Sequence, residues 1–551
     1  MSEPWLPADH GSEMGGLQKR VARGLTWTLV DTWGSQLLGL VVFVILARLL
    51  TPADFGLVAL AAVFVSFANL IVDQGLGDAL IQRRSLTRRQ IDTAFWAAVA
   101  TGALLSVIAL LLSEPIALLL GEPRLTPILR VLSLTFVLAA LSSIQMALLR
   151  REMAFRSLAV RRITAVVGAG AVGVTMAFLG FGAWALVGQL LSAAAITVVM
   201  LWAVSPWRPS RHASRADFRE LLGYGIHVVA GDMLNFLSRN MDNLLIGVFL
   251  GTTSLGFYAV AYRLLDTSQQ LLVNAARKLA FPVFSRLQHD PQRLVRAYLR
   301  VSRAVSVVIL PGYVGLTLVA QEAVVVIFGQ RWEASGPVAG VLFLIGPVLT
   351  VQLFSGAVLN AVGHPEVTLR IRLVTTIFNV AGFLVAVALF RDIVAVAAAY
   401  TFRGYVVTPL ILYWLRKYAG IPIAAHLNAL RSTVIATGVM ALAVLAVKFV
   451  LAASVSNAVL LLAEVVTGVA TFSLAILIID RPLVAEFLGF FLQAVPGGER
   501  IARRMRLPLP EPGPGKRGGR RAAGSSGVEG DEGVETDEAL IDRDLDRDAD
   551  V

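Results

Sequence analysis

The chain has 551 residues, of which 56% are apolar and only 15% are Asp, Glu, Lys or Arg, with a mean hydropathy of +0.73. About a quarter of an ordinary soluble domain is charged, so this composition excludes a soluble globular enzyme: too much apolar surface would face water. The net charge is +11 and the pI 10.3, and the absence of cysteine excludes disulfides, thiolate metal sites and cysteine nucleophiles.

The first eighteen residues carry Glu3, Asp9 and Glu13 and no early positive charge, which is not the pattern of a secretory signal. A bilayer-crossing helix needs about 20 predominantly apolar residues. The sequence predicts fourteen such spans, at about 25–49, 54–73, 91–113, 126–149, 158–179, 182–204, 223–250, 254–276, 302–328, 336–361, 367–389, 392–415, 430–451 and 456–479.

Loop charges test that count. The loops after even-numbered spans hold 25 Lys and Arg, among them Arg83, Arg84, Arg88, Arg89, Arg150, Arg151, Arg156, Arg161 and Arg162; the opposite loops hold only Arg48, Arg124, Arg130, Arg331, Arg391 and Lys448. This asymmetry places the first set, and both termini, in the cytoplasm of a multi-pass cell-membrane protein. Past Leu507 the composition turns to Pro, Gly and Ser and then to an acidic run, an expected disordered tail within a cytoplasmic segment 481–551.

The chain also repeats itself. Asp54-Phe-Gly-Leu-Val-Ala59 opens span 2 and Ser254-Leu-Gly-Phe-Tyr-Ala259 opens span 8, so Gly56 and Gly256 stand 200 residues apart. Asp31 and Asp232, Gly121 and Gly329, and Phe181 and Phe390 follow at offsets of 201, 208 and 209. Six spans per copy give two lobes of equal orientation, a transporter architecture. The expected parts are a short cytoplasmic segment 1–19, an N-lobe 20–205, a basic linker 206–222, a C-lobe 223–416 and two appended spans in 417–480. The fold class is therefore all-α integral membrane, with two parallel six-helix lobes and two C-terminal helices.

Ionisable groups at membrane depth cost several kcal/mol and should face a cavity or a partner. In span 7, Asp232, Asn235, Arg239, Asp242 and Asn243 fall within one arc of about 100°. In span 8, Tyr262, Asp266, Gln269, Gln270 and Arg277 do the same, with Arg263 beside them. The first lobe offers Asp31, Ser66, Asn69 and Asp73. One reading is a water-filled path where arginines attract an anion. The other is local pairing of Arg239 with Asp232 or Asp242, which glues helices together. Arg277 sits near the cytoplasmic edge, where it also reads as a topology charge. No phosphate-cradling Gly-x4-Gly-Lys-Ser/Thr motif is present, which argues against ATP hydrolysis in this chain.

The segments Leu49-Leu-Thr-Pro-Ala-Asp-Phe-Gly-Leu-Val-Ala59, Asp73-Gln-Gly-Leu-Gly-Asp-Ala-Leu-Ile-Gln-Arg83, Asn240-Met-Asp-Asn-Leu-Leu-Ile-Gly247 and Leu250-Gly-Thr-Thr-Ser-Leu-Gly-Phe-Tyr-Ala-Val-Ala261 carry a resemblance. They resemble polysaccharide flippases of the O-antigen and colanic-acid exporter type, in the multidrug/oligosaccharidyl-lipid/polysaccharide superfamily. The resemblance implies a 12- to 14-helix fold and a partner that is a polyprenyl-pyrophosphate-linked glycan, moved from inner to outer leaflet for polysaccharide export. It implies no resident cofactor beyond a coupling proton or sodium ion, and action as a monomer beside membrane lipids, with a polysaccharide polymerase or glycosyltransferases as neighbours and no nucleic acid. On this sequence the substrate-binding roles fall on Arg239, Arg263, Arg277, Asn235, Tyr262, Gln269 and Gln270, and ion coupling on Asp31, Asp232, Asp242 or Asp266. A pyrophosphate suits bidentate arginines, and sugars suit amides and aromatic faces. The rivals are a peptidoglycan-precursor or multidrug exporter of the same superfamily and, from another class, a membrane-embedded polysaccharide polymerase or glycosyltransferase. A cation-exporting pump calls for acidic cavity walls, and a polymerase for a large external loop with paired carboxylates.

Overall fold

The structure is a computed structural model and describes residues 33–73, 86–211, 214–273 and 290–484, with positions 77, 80, 81, 284, 285 and 287 between them. Among the described residues, eleven helices are long and apolar enough to cross a membrane. The first half comprises α1 (Ser35–Leu49), α2 (Pro52–Asp73), α3 (Arg88–Leu119), α4 (Leu125–Leu132), α5 (Leu134–Arg151), α6 (Phe155–Phe178) and α7 (Ala183–Val204). The second comprises α8 (Arg215–Phe249), α9 (Gly251–Ser268), α10 (Pro291–Leu318), α11 (Ala320–Phe328), α12 (Ser335–Phe343), α13 (Gly346–Gln352), α14 (Ser355–Ala361), α15 (Pro365–Val385) and α16 (Ile393–Ala419). The appended pair is α17 (Ile423–Leu451) and α18 (Asn457–Ile479).

Helices therefore stand where each of the fourteen spans is expected, but three of them are not among the eleven. Helix α1 is a shorter apolar helix as described, and α8 and α9 carry the polar stripes that lower their hydropathy. Span 4 is broken between α4 and α5 at Ser133, whose hydroxyl donates to the Arg130 carbonyl at 2.7 Å and whose own carbonyl accepts from Ser106 Oγ at 3.0 Å. Span 10 is broken into α12, α13 and α14, with Gly346-Pro347 opening the middle piece. Local chemistry starts and stops the long helices. Thr87 and Gln90 form a reciprocal capping box at α3, Asp290 caps α10 with Pro291 following, and left-handed Gly420 (φ +66°) ends α16.

The two halves meet most closely where α2 crosses α9. A Cβ on Gly56 would lie 1.6 Å from the Thr252 carbonyl oxygen, and one on Gly256 would lie 1.8 Å from the Pro52 carbonyl oxygen. Only glycine lets the two backbones approach this closely. Around this crossing, loops from both halves interlock at one end of the bundle. Trp332 is fully buried, donates from Nε1 to the Ala47 carbonyl at 2.8 Å, and packs edge-on against Phe55 and Phe257. Arg48 donates to the carbonyls of Val326 and Ile327 at 2.7 and 2.8 Å, satisfying the last turn of α11. Arg331 donates to the Leu50 carbonyl at 3.1 Å, and Thr252 Oγ1 to Glu122 Oε2 at 3.3 Å. The loops after spans 1, 3, 7 and 9 are thus gathered into one closed end. The opposite end is tied separately, by Arg89 on Asp217 at 2.7 Å, Trp96 on the Ser210 carbonyl, and Arg303 on Asp480.

Candidate functional site: a polar chain across three helices

Helix α8 runs for 35 residues and is capped by Ser214, whose hydroxyl accepts from the Asp217 amide at 3.5 Å. Its neighbour α9 ends in a π-helical turn, Gln269–Val273. Such turns frequently occur at functional sites. Here the turn carries Gln269 and Gln270, both half-buried.

Four side chains link up across α1, α9 and α8. Gln36 on α1 donates from Nε2 to Gln270 Oε1; Gln270 donates from Nε2 to Asp266 Oδ2 at 3.1 Å; and Arg239 donates from Nη2 to Asp266 Oδ1 at 3.2 Å. Asp266 therefore takes one bond on each oxygen. Arg239 keeps 57% of its side chain exposed against 19% for Asp266, so the arginine remains accessible while it holds one carboxylate oxygen.

Arg263 sits beside this chain and reaches toward α1. Its guanidinium carbon lies 5.8 Å from the Phe43 ring centroid, and its Nε is buried with no hydrogen-bond partner among the described residues. A Cβ on Gly39 would stand 3.6 Å from Arg263 Nη2, so the glycine leaves room for the arginine head. A buried guanidinium donor without an acceptor is costly, and an anion would relieve that cost.

Deeper in the second lobe an aromatic stack lines up. Tyr258 stacks on Tyr262 with centroids 5.9 Å apart, and Tyr262 meets Tyr400 edge-on at 6.1 Å. Arg403 lies over the Tyr400 ring at 4.6 Å, with its Nε buried and unpartnered among the described residues. Asp242 is 2% exposed and accepts from the Tyr258 hydroxyl at 2.7 Å and the Asn243 amide at 2.8 Å. Arg403 is within electrostatic reach of Asp242.

Of the residues singled out from sequence, the structure brings together Arg239, Asp266 and Gln270, with Arg263 and Tyr262 on the same helix as Asp266. Arg239 bonds to Asp266 on the neighbouring helix, a partner that neither local pairing anticipates. Asp242 lies under Tyr258 and outside the four-residue chain. Asp232 and Asn235 belong to α8, but their side chains, like Asp31 and Arg277 entirely, fall outside the described residues. Gln36, Tyr400 and Arg403 are not among the residues that the sequence patterns single out. Arg403 sits within the expected span 12, so the same rule that marks Arg239 is sufficient to mark it. Gln36 is neutral and gives no such signal. Asn379 on α15 also escapes the sequence patterns; it donates to the Ser238 carbonyl and hydroxyl at 3.2 and 3.1 Å.

Residues 45–337 match the family described as "Polysaccharide biosynthesis protein". The chain is 30% identical over 480 residues to the succinoglycan biosynthesis transport protein ExoT of Rhizobium meliloti, covering 85% of this chain and 95% of that one. It is 26% identical to the lipopolysaccharide biosynthesis protein WzxC of Escherichia coli, over 67% of this chain and 75% of that one. Among solved structures, the lipid II flippase MurJ in an inward closed conformation superposes with a TM-score of 0.69 at 14% identity, covering 84% of this chain and 100% of that one. An inward-facing multidrug resistance transporter of the MATE family superposes with a TM-score of 0.55 at 15% identity, over 70% and 94%. These two show a shared fold of membrane helices. The chain is a multi-pass membrane protein that belongs to the polysaccharide biosynthesis protein family.

Proposed function

We propose that this protein is a transporter that flips a polyprenyl-pyrophosphate-linked oligosaccharide across the cytoplasmic membrane by alternating access, for polysaccharide export. The observation that carries the reading is the chain Gln36–Gln270–Asp266–Arg239, which joins α1 of one lobe to α8 and α9 of the other and leaves Arg239 mostly exposed beside Arg263. The relatives' names attach transport and polysaccharide biosynthesis to the same fold and family.

The chemistry follows from competition for one guanidinium. A pyrophosphate brings two or more negative charges and bidentate geometry, and displaces Asp266 from Arg239. Freed Asp266 then needs a new cation at membrane depth, which is the role of a coupling proton or sodium ion. Its change of partner disturbs Gln270 and, through it, the Gln36 link between lobes. Substrate arrival is thereby coupled to the interlobe contact. The loop-charge asymmetry supports both termini in the cytoplasm and the interlocked end outside. Tyr262 and Tyr400 offer aromatic faces to sugar rings. The protein acts as a monomer, supplied by glycosyltransferases and followed by a polymerase.

Proteoliposomes holding a labelled polyprenyl-pyrophosphate oligosaccharide test the proposal. With an imposed ion gradient, label should move to the far leaflet with wild-type protein and stay in place with Arg239→Ala plus Arg263→Ala. An unchanged leaflet distribution with folded wild-type protein overturns it.

A further inference from the structure

A second polar cluster lies away from the lobes' shared chain, where the appended helices meet α10. Lys448, near the end of α17, gives one hydrogen bond to the Leu318 carbonyl at 2.8 Å and one to the Glu322 carboxylate at 2.9 Å. Its nearest approach to Glu464 on α18 is 3.7 Å, beyond hydrogen-bond reach. Glu464 is fully buried, and neither carboxylate oxygen has a hydrogen-bond partner among the described residues. One ammonium against two carboxylates leaves the cluster one positive charge short in a low-dielectric setting, where an unsatisfied carboxylate is expensive.

Glu464 also lines a cavity of about 320 Å³ between α10, α17 and α18. The remaining lining is almost wholly apolar, and Gly315 opens the space by leaving out a side chain, since a Cβ there meets nothing within 4 Å. Val465 and Val469 line the same cavity and are 46% and 65% exposed, so it opens on the bundle's outer, lipid-facing surface. From Glu464 to Ser473 the cavity follows nine residues of α18, about 13 Å along the helix axis. The site thus has a buried carboxylate at one end and a long apolar trough leading from it.

We propose that this trough binds an ammonium-bearing amphiphile drawn from the bilayer, its cationic head on Glu464 and its hydrocarbon body along α10 and α18. The charge complementarity is specific. A single positive head neutralises the three-residue cluster and gives Glu464 the hydrogen-bond donor that Lys448 does not reach. A phosphate or carboxylate head would instead meet the net negative charge. Occupancy ties α18 to α10 and so fastens the appended pair to the second lobe.

Binding of n-octylammonium to the purified full-length protein in a neutral detergent tests this by isothermal titration calorimetry, with protein-free micelles as the blank. Saturable binding about tenfold or more tighter than that of n-octanol is the expected result. Glu464→Gln should remove the preference for the ammonium while n-octanol still binds. Gly315→Leu should block both ligands, because a Cβ there meets nothing within 4 Å and the larger side chain grows into the trough without displacing the core. If octylammonium and octanol bind equally to the wild type, or if the preference survives in Glu464→Gln, the assignment is overturned. Gly315→Leu keeps the test available should Glu464→Gln fail to fold: undiminished ammonium binding in that variant also overturns it.

Discussion

Gly56 and Gly256 occupy matching positions in the two lobes and press against matching partners: each glycine's missing Cβ points at the carbonyl oxygen four residues before the other, Thr252 for Gly56 and Pro52 for Gly256. The 200-residue offset seen in sequence reappears as a symmetric contact between α2 and α9. The reciprocity matches the sequence expectation of a duplicated fold. Substituting alanine at either position forces the helices apart, because the obstacle is backbone. Gly56→Ala and Gly256→Ala should each destabilise the protein by about 1–3 kcal/mol and loosen the interlocked end. Lower thermal stability, together with faster labelling of a cysteine placed at Arg331, would check this. Unchanged labelling would show that the crossing does not hold that end closed.

The Arg239–Asp266 pair separates structural glue from substrate chemistry. With Arg239 more than half exposed, losing the pair should cost less than about 1 kcal/mol of stability. Arg239→Ala should nevertheless abolish most transport. The exchange Arg239→Asp with Asp266→Arg restores a pair of opposite charges, and should recover stability without recovering transport. Recovery of both would make the pair purely structural.

Arg403 is expected to belong to the same functional surface. Its buried Nε lacks a partner among the described residues and its guanidinium covers Tyr400, which touches Tyr262. Arg403→Gln should lower transport at least about tenfold, while Arg403→Lys, which keeps the charge but not the planar fork, should recover only part of it. Initial rates in proteoliposomes at matched protein density measure both.

Lys448 balances Glu322 and approaches Glu464, so Lys448→Met should leave two carboxylates without a cation. The expected loss is about 3 kcal/mol or more. Adding Glu322→Gln to Lys448→Met should return part of it. Thermal unfolding of the single and double variants decides; additive losses would show that the pair is not coupled.

The tie between Arg303 and Asp480 predicts a pH dependence. Burial pushes the Asp480 carboxyl up, but hydrogen bonds from Arg303, Ser432 and the Leu483 amide outweigh burial and hold it below the usual carboxylate range. Because the folded-state value is depressed, its stabilisation is complete above the unfolded value of about 3.9 and is lost as the pH falls through the folded one. Asp480→Asn should therefore be less stable than wild type near neutrality, with the difference shrinking below about pH 4. A difference independent of pH would remove Asp480 as its source.

Much of this protein is legible in its amino-acid sequence. The positions of the helices follow from apolar run length, since a bilayer demands about 20 such residues. The close approach of α2 and α9 shows in the glycine-bearing motifs that open spans 2 and 8, because close backbone approach tolerates no substitute. The polar stripe on α8 and α9 stands out because charge at membrane depth is too costly to be accidental. Arg239, Asp266 and Gln270 are all marked on that ground.

Which groups meet is decided only by tertiary structure. Helical periodicity says which residues of one helix share a face and nothing about which helix faces them, so it offers Arg239 only Asp232 or Asp242 as local partners, whereas among the described residues its partner is Asp266. The π-helical turn after Ser268 changes the angular step at Gln269 and Gln270, a shift that a fixed 100° projection does not carry. Gln36 bears no charge to mark it, and it enters the chain only because the packing of α1 beside α9 brings two amides within reach. Lys448 reads as a loop charge in sequence, and the fold sets it against Glu322 and near Glu464. A sequence lists its charges, but their pairing depends on distances of a few ångströms across helices far apart in the chain.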